Sequence, residues 1–177
     1  MALKFLDKYN IQFGILVRGG NEFKYILEKE FFEYFNITDI NHFDLNVFLN
    51  VEKSSNLLIF NLLIEGTINL PCDRCLDDFD LKLETKNELF IKFSENDFEE
   101  QSDNMLIIPK AENGINVAQF IYEFILLGLP IKKVHPLNKK GVSTCNKEML
   151  KRIESNQSES NNVSVWNELN KLKNGTS

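Results

Sequence analysis

The chain has 177 residues, of which 43% are hydrophobic and 26% are charged, a composition typical of one compact domain with or without tails. The formal net charge of -6 excludes a protein that coats nucleic acid with its whole surface, because such binding neutralises phosphates with Lys and Arg. Lys4, Asp7 and Lys8 interrupt the first apolar residues, which excludes a signal peptide or a membrane span there, so we expect a cytoplasmic protein.

Alternation of apolar and polar residues predicts the first strands. Apolar residues alternate over 11–17 and again over 23–27, with two glycines and an asparagine between them, so these segments are predicted to form a hairpin. The alternation returns over 43–51. A third strand is therefore expected there, with one side facing a core and the other facing solvent.

The clearest strands span residues 58–70 and 79–93, where the apolar residues keep one parity. Gly66 stands in the apolar row of the first of them, and a glycine there indicates a bulge or the close approach of another backbone. The connection from Pro71 to Asp78 is short. The two strands are therefore predicted to form a long antiparallel hairpin with this connection at its tip.

The segments after this hairpin differ from one another in character. Residues 94–103 are acidic and predict an exposed loop, and residues 105–108 predict a short edge strand. Asn116 then begins a helix that ends at Gly128, because apolar residues recur at helical spacing between a capping residue and a glycine. We expect Leu127 and Leu129, near the end of this helix, to be buried.

Together these elements predict an α+β fold dominated by a twisted antiparallel sheet, barrel-like or sandwich-like because many long strands must hide their edges. A single domain over 1–154 is followed by a flexible polar linker over 155–163 and a short C-terminal helix over 164–173. A helix this short is marginal alone, so it needs a surface to pack on. Its predicted partner-binding residues are Trp166, Leu169 and Leu172.

Cys72 and Cys75 form a C-x-x-C pair at the tip of the predicted hairpin. Taken alone, the pair has three interpretations: a redox dithiol, half of a metal site, or reduced cysteines on a surface turn. A thioredoxin-like dithiol needs its first cysteine at a helix N-terminus, where backbone amides lower the thiol pKa. Cys72 instead lies between two strands with acids nearby, so the sequence disfavours redox catalysis.

A zinc site needs about four ligands, preferably thiolates and imidazoles. His135 and Cys145 are the further candidates, and with Cys72 and Cys75 they would hold a structural Zn2+ that clips the segment after the helix onto the hairpin tip. Nine residues separate His135 from Cys145, a looser spacing than in zinc fingers. Spacing alone therefore leaves a zinc site and reduced surface cysteines equally open.

Residues 131–152 contain seven basic residues and one acid, a sum of +6, and because the whole chain carries -6, the rest sums to -12. A metal site that attaches this segment to the hairpin tip would concentrate the positive charge at one end of an acidic molecule. Lysines there would contact phosphates without recognising bases. The alternative is a merely solvated loop. The predicted RNA-binding residues are Arg74, Lys132, Lys133, Lys139 and Lys140.

The sequence contains no nucleophile elbow, phosphate-binding glycine loop or H-E-x-x-H motif, so it nominates no catalytic residue.

Three motifs follow one another along the chain: GTINLPCDRCL over 66–76, IYEFILLGLP over 121–130 with a Val-His pair shortly after, and VWNELNKL over 165–172. In this order they resemble the YceD family, the large ribosomal RNA subunit accumulation proteins. The resemblance matches Cys72 and Cys75 to the family's first cysteine pair and matches His135 and Cys145 to its later His/Cys positions. Many members carry a second, tighter cysteine pair at the later positions, whereas this chain has one cysteine and a long spacer.

The resemblance implies a bacterial, cytoplasmic, non-catalytic factor that supports accumulation or processing of 23S ribosomal RNA during assembly of the large subunit. The leading hypothesis is therefore a protein that binds ribosomal RNA or a pre-50S particle. A second hypothesis is a protein-binding adaptor that contacts a ribosomal protein or an assembly factor through the tail helix. A third is a dithiol oxidoreductase that uses the C-x-x-C pair.

Overall fold

The computed structural model describes residues 5–37, 40, 42–94 and 104–160. Its backbone contacts divide the chain into two compact units. The sheet unit comprises Met1–Leu70 and Asp80–Lys133, and the cysteine unit comprises Pro71–Phe79 and Val134–Ser177. Within the ranges described, no helix has the length and the apolar content needed to cross a bilayer.

Short and long strands alternate with a few helices along the chain. The described strands are β1 (Asn10–Gln12), β2 (Gly19–Ile26), β3 (Phe43–Lys53), β4 (Leu57–Pro71), β5 (Asp78–Ser94), β6 (Met105–Pro109) and β7 (Gly114–Asn116). The α-helices that lie wholly within the described residues are α1 (Lys29–Tyr34), α2 (Ala118–Gly128) and α3 (Lys147–Ser160). The last residues of α3 fall within the segment predicted to be a linker.

The main sheet has five strands in the order β2-β3-β4-β5-β6. Neighbours β2, β3 and β4 pair antiparallel, and β6 pairs parallel to β5 at the edge. The connection between neighbours β4 and β5 is too short for a parallel crossover, so they too are antiparallel. These pairings confirm the α+β class with a mostly antiparallel sheet, whereas the barrel-like or sandwich-like curvature stays a prediction.

The predicted hairpin between residues 11–17 and 23–27 is wrong. β1 pairs with β7, where Ile11 lies opposite Ile115, and β2 pairs with β3 instead. A short 3-10 helix at Phe13–Ile15 ends the first segment. Period-two alternation marks a strand, but it carries no information about which strand will be its partner.

The core of the sheet unit lies on one side of β3 and β4. Their inward rows are buried, and the helix α2 adds Ile121 and Ile125, which are 0% exposed. The Oδ1 atom of Asn116 accepts a hydrogen bond from the Ala118 N–H at 3.0 Å, so the predicted start of this helix is confirmed. Leu129 is partly buried against the core. Leu127 is 76% exposed, and its expected burial is wrong because it lies off the face that carries Ile121 and Ile125.

Gly66 lies where the backbone of β3 comes close to β4. It pairs with Leu45, and its φ is +148°. A Cβ atom added at this position would overlap the carbonyl oxygen of Asp44. The close backbone approach predicted for this glycine is therefore confirmed, and no other residue type fits without a shift of β3.

Candidate metal centre

The connection after β4 forms a tight turn around the first cysteine pair. The Cys72 N–H donates to the Asp77 carbonyl at 3.0 Å, and the Leu76 N–H donates to the Cys72 carbonyl at 2.9 Å. Leu76 has a φ of +66°, a left-handed conformation that glycine adopts far more readily than leucine. The turn buries both thiols, because Cys72 is 0% and Cys75 is 1% exposed.

The spacer between the candidate ligands His135 and Cys145 is itself a closed turn. Leu137 and Ser143 form a β-bridge. Between them, the Oδ1 atom of Asn138 accepts hydrogen bonds from the N–H groups of Lys140 at 2.9 Å and Val142 at 3.0 Å. Because the spacer folds back on itself, its length does not separate His135 from Cys145.

Asn146 links this turn to the next helix. Its Oδ1 atom accepts hydrogen bonds from the Glu148 and Met149 N–H groups at the start of α3, and its Nδ2 atom donates to the Asp77 carboxylate at 3.0 Å. Neither this residue nor the helix was predicted from the sequence. The available signal was an N-capping asparagine followed by Met149, Leu150 and Ile153 at helical spacing.

These turns bring four potential ligand atoms together from distant parts of the sequence. The thiols of Cys72, Cys75 and Cys145 and the imidazole of His135 all lie within 4.8 Å of one another. The Cys72 and Cys145 Sγ atoms are 3.8 Å apart, and the Cys75 Sγ and His135 Nδ1 atoms are 3.4 Å apart. The His135 ring packs on the Phe79 ring, with 4.8 Å between centroids, which restrains its orientation.

The donor set and its dimensions fit zinc. Tetrahedral Zn2+ with Zn–S bonds of about 2.3 Å and a Zn–N bond of about 2.0 Å separates its ligand atoms by about 3.5–3.8 Å. The two distances above match that separation. Three buried thiols and one half-buried imidazole are also a ligand set typical of a structural site with no open coordination position.

The electrostatics of the thiols also favour a bound cation. Burial raises the pKa of Cys72, but hydrogen bonds from the Cys75 and Arg74 N–H groups and from His135 outweigh it, so that the pKa falls to about 6. Burial raises the pKa of Cys75, and its contacts with the thiols of Cys72 and Cys145 raise it further against the opposing backbone hydrogen bonds. Adjacent buried thiolates repel one another, and a divalent cation removes this repulsion.

The predicted RNA-binding residues are divided between the two units. Arg74, Lys139 and Lys140 are exposed in the cysteine unit, where Arg74 lies between the two cysteines and the lysines lie in the turn closed by Asn138. Lys132 and Lys133 belong to the sheet unit. The predicted partner-binding residues Trp166, Leu169 and Leu172 lie outside the described residues.

A comparison with protein families identifies one match. The family model described as "Large ribosomal RNA subunit accumulation protein YceD" matches residues 60–173. The matched range covers more than half of the chain and contains all four residues of the cysteine and histidine cluster. Comparisons with curated proteins and with solved structures give no match.

Proposed function

The chain belongs to the YceD family, and from this membership we propose that it supports 23S ribosomal RNA accumulation and large-subunit assembly as a non-catalytic cytoplasmic factor. In this proposal it binds ribosomal RNA or a pre-50S particle. The observation that carries the proposal is the family match, which spans the cluster of Cys72, Cys75, His135 and Cys145.

A structural Zn2+ held by these four residues would cross-link the two turns of the cysteine unit. Each turn carries exposed cations close in sequence to a ligand: Arg74 in the first turn, and Lys139 and Lys140 in the second. The Asn138 hydrogen bonds hold the second turn in one conformation. Preorganised cations lose less conformational entropy when they contact phosphates, which strengthens binding without base recognition.

The charge of the cysteine unit limits the form of this contact. Acids such as Asp73, Asp77 and Glu148 accompany the cations, so the unit does not present a uniform positive field. The contact is therefore confined to a few phosphates at the turns. Burial of Cys72 and Cys75 also argues against the dithiol oxidoreductase, because reactive cysteines need partial exposure.

Filter binding of the full chain to 23S ribosomal RNA across a salt series tests the RNA contact. The double substitution Lys139→Gln and Lys140→Gln removes two phosphate contacts. The negative slope of log K against log salt should therefore become shallower by about 1.4–1.8. Lys29→Gln with Lys82→Gln is the matched control, since both are exposed lysines of the sheet unit, and it should keep the slope. An unchanged slope in the first variant would remove these lysines from the proposal.

Nuclease treatment of purified pre-50S complexes separates the proposal from the protein-adaptor alternative. An RNA-dependent association should be lost, whereas an adaptor would remain bound to a ribosomal protein or an assembly factor. Retention that depends on Trp166 would favour the adaptor.

In cells that lack the chain, the amount of 23S ribosomal RNA should fall relative to 16S ribosomal RNA. The wild-type chain should restore this ratio, whereas His135→Ala should not.

A further inference from the structure

A groove crosses the face of the main sheet that is turned away from the core. Its cavity is about 910 Å³ and is lined by residues of β2, β3, β4 and β5. Phe48 and Leu63 lie at its centre and are half-buried, whereas their sequence neighbours Leu49 and Leu62 point into the core. Successive side chains of a strand point to opposite faces, so the groove belongs to the outer face.

Two adjacent rows of paired residues form the floor of the groove. In one row, Phe48 pairs with Leu63 across β3 and β4, and in the other, Asn50 pairs with Asn61. Residues two apart on one strand are separated by about 6.8 Å. The floor therefore combines an apolar row with a neighbouring row of two carboxamides.

Each row ends in charges of one sign at both rims. On β2, Lys24 pairs with Phe48 and Glu22 pairs with Asn50. On β5, the rim residues are Lys86 and Glu88. Along the chain, the glutamate comes before the lysine in β2 and after it in β5. Because β5 runs antiparallel to β2, the two rims have the same order of glutamate and lysine along the groove. Hydrogen bonds from the Phe93 N–H to the Asn56 carbonyl and from the Asn69 side chain to Asp80 give one register across β4 and β5. This register places Lys86 opposite Leu63 and Glu88 opposite Asn61, so the lysines flank the apolar row and the glutamates flank the amide row.

These charges select the class of ligand. Two lysines and two glutamates sum to zero, so the groove does not attract a phosphate backbone. Lys24 lies over the Phe48 ring at 5.0 Å from its centroid, and Lys86 lies 3.7 Å from exposed Glu84. All four charged side chains of the rims are exposed. They can therefore leave such contacts and form ion pairs with charged groups of a ligand.

The dimensions of the groove match an α-helix. The β2 and β5 rims are three strand spacings apart, which is about 14 Å, and a helix with its side chains is about 10–12 Å wide. A helix lying along β3 and β4 advances about 5.4 Å per turn, close to the spacing of the two rows. Consecutive turns of the helix would therefore meet the apolar row and then the amide row.

We propose that this groove binds an amphipathic helix of a partner protein. The apolar stripe of the helix covers Phe48 and Leu63, acidic side chains on both flanks meet Lys24 and Lys86, and basic side chains about one turn away meet the two glutamates. The site lies wholly within the sheet unit and does not depend on the proposed ribosomal RNA contact.

Two synthetic helical peptides of equal composition test the proposal against the full chain by methyl and amide NMR. The matched peptide carries an apolar stripe with Glu on both flanks of one turn and Lys on both flanks of the next, and the swapped peptide exchanges Glu and Lys. Both sets of shifts should centre on Phe48 and Leu63. The matched peptide should bind about tenfold more tightly, because four exposed ion pairs each contribute a few tenths of a kcal/mol.

A charge-exchanged protein provides the decisive control. The four substitutions Glu22→Lys, Lys24→Glu, Lys86→Glu and Glu88→Lys lie at exposed positions, so the fold is retained, and they should reverse the peptide preference. Equal affinity for both peptides, shifts elsewhere, or no shifts would overturn the proposal. So would groove signals that depend on protein concentration, or contacts between the Leu63 methyls and the indole of Trp166, because these would assign the groove to a second copy or to the chain's own tail.

Discussion

The sheet unit and the cysteine unit differ in the side chains that stabilise them. In the sheet unit, the inward rows of β3 and β4 are buried in one hydrophobic cluster, where Phe60 and Ile64 are 0% exposed. In the described part of the cysteine unit, the buried side chains are three cysteines and Phe79, while Leu76 and Leu137 are 70% and 65% exposed. Below about 40 residues, a chain usually buries too little apolar surface to fold without a metal, a disulfide or a partner subunit.

From this contrast we expect that a metal bound by the four candidate ligands would hold the cysteine unit in place of a hydrophobic core. Cross-linking by a metal can order turns that leave leucine side chains in solvent and a leucine in a left-handed conformation. It follows that metal loss and core truncation should affect different units of the same chain.

Removal of the proposed Zn2+ should have the largest effect. His135→Ala or chelation should abolish binding of about one Zn2+ per chain, and because a structural zinc contributes on the order of 10 kcal/mol to folding, amides of 134–152 should lose their hydrogen-exchange protection. Amides of β3 and β4 should keep theirs. His42→Ala is the matched control, since it replaces the other of the two histidines. Full protection of 134–152 after chelation would show that the comparison is wrong.

Core truncation should produce the reverse pattern. Phe60→Ala should lower the free energy of unfolding of the sheet unit by about 3–5 kcal/mol, as is typical of large buried rings, without changing the zinc content. Ile59→Ala, next to it on the half-buried outer face, should cost far less. Urea titration followed by NMR of the β4 amides measures both changes, and an equal cost for the two would contradict the assigned core face.

Gly66→Ala should weaken the sheet unit by about 2 kcal/mol or more, because the new methyl group overlaps the Asp44 carbonyl and forces β3 to shift. Gly14→Ala is the control, since an added Cβ there has nothing within 4 Å, and it should change stability by less than about 0.5 kcal/mol. Thermal unfolding distinguishes the two. A neutral Gly66→Ala would show that the strands separate at little cost.

The smallest expected effect is a gain in the cysteine unit. Leu76→Gly removes the steric cost of the left-handed backbone conformation at this position. It should therefore strengthen zinc binding by about 0.5–1 kcal/mol, or two- to fivefold in affinity. Competition with a chromophoric chelator measures this change. Leu137→Gly removes a similarly exposed leucine whose φ is not positive, so it should not tighten binding. Weaker binding after Leu76→Gly would mean that the leucine side chain itself stabilises the turn.

The long strands and the helix α2 were predictable because each carries a complete local pattern. Period-two alternation over 43–51, 58–70 and 79–93 requires no knowledge of distant residues, and neither does the capping of α2 by Asn116. The first hairpin failed because β1 is only three residues long and takes its partner from β7, more than a hundred residues away. α3 was missed because its polar surface resembles a linker.

For the candidate metal centre, sequence determined which residues were available. The chain has three cysteines and two histidines, and the C-x-x-C spacing with zinc's ligand preferences selected four of them. Tertiary structure alone decided that they meet, because the turn between Leu137 and Ser143 closes a long spacer that spacing rules disfavour. Local periodicity fixes which face of a strand is apolar. The meeting of distant ligands depends on long-range packing, which no local pattern encodes.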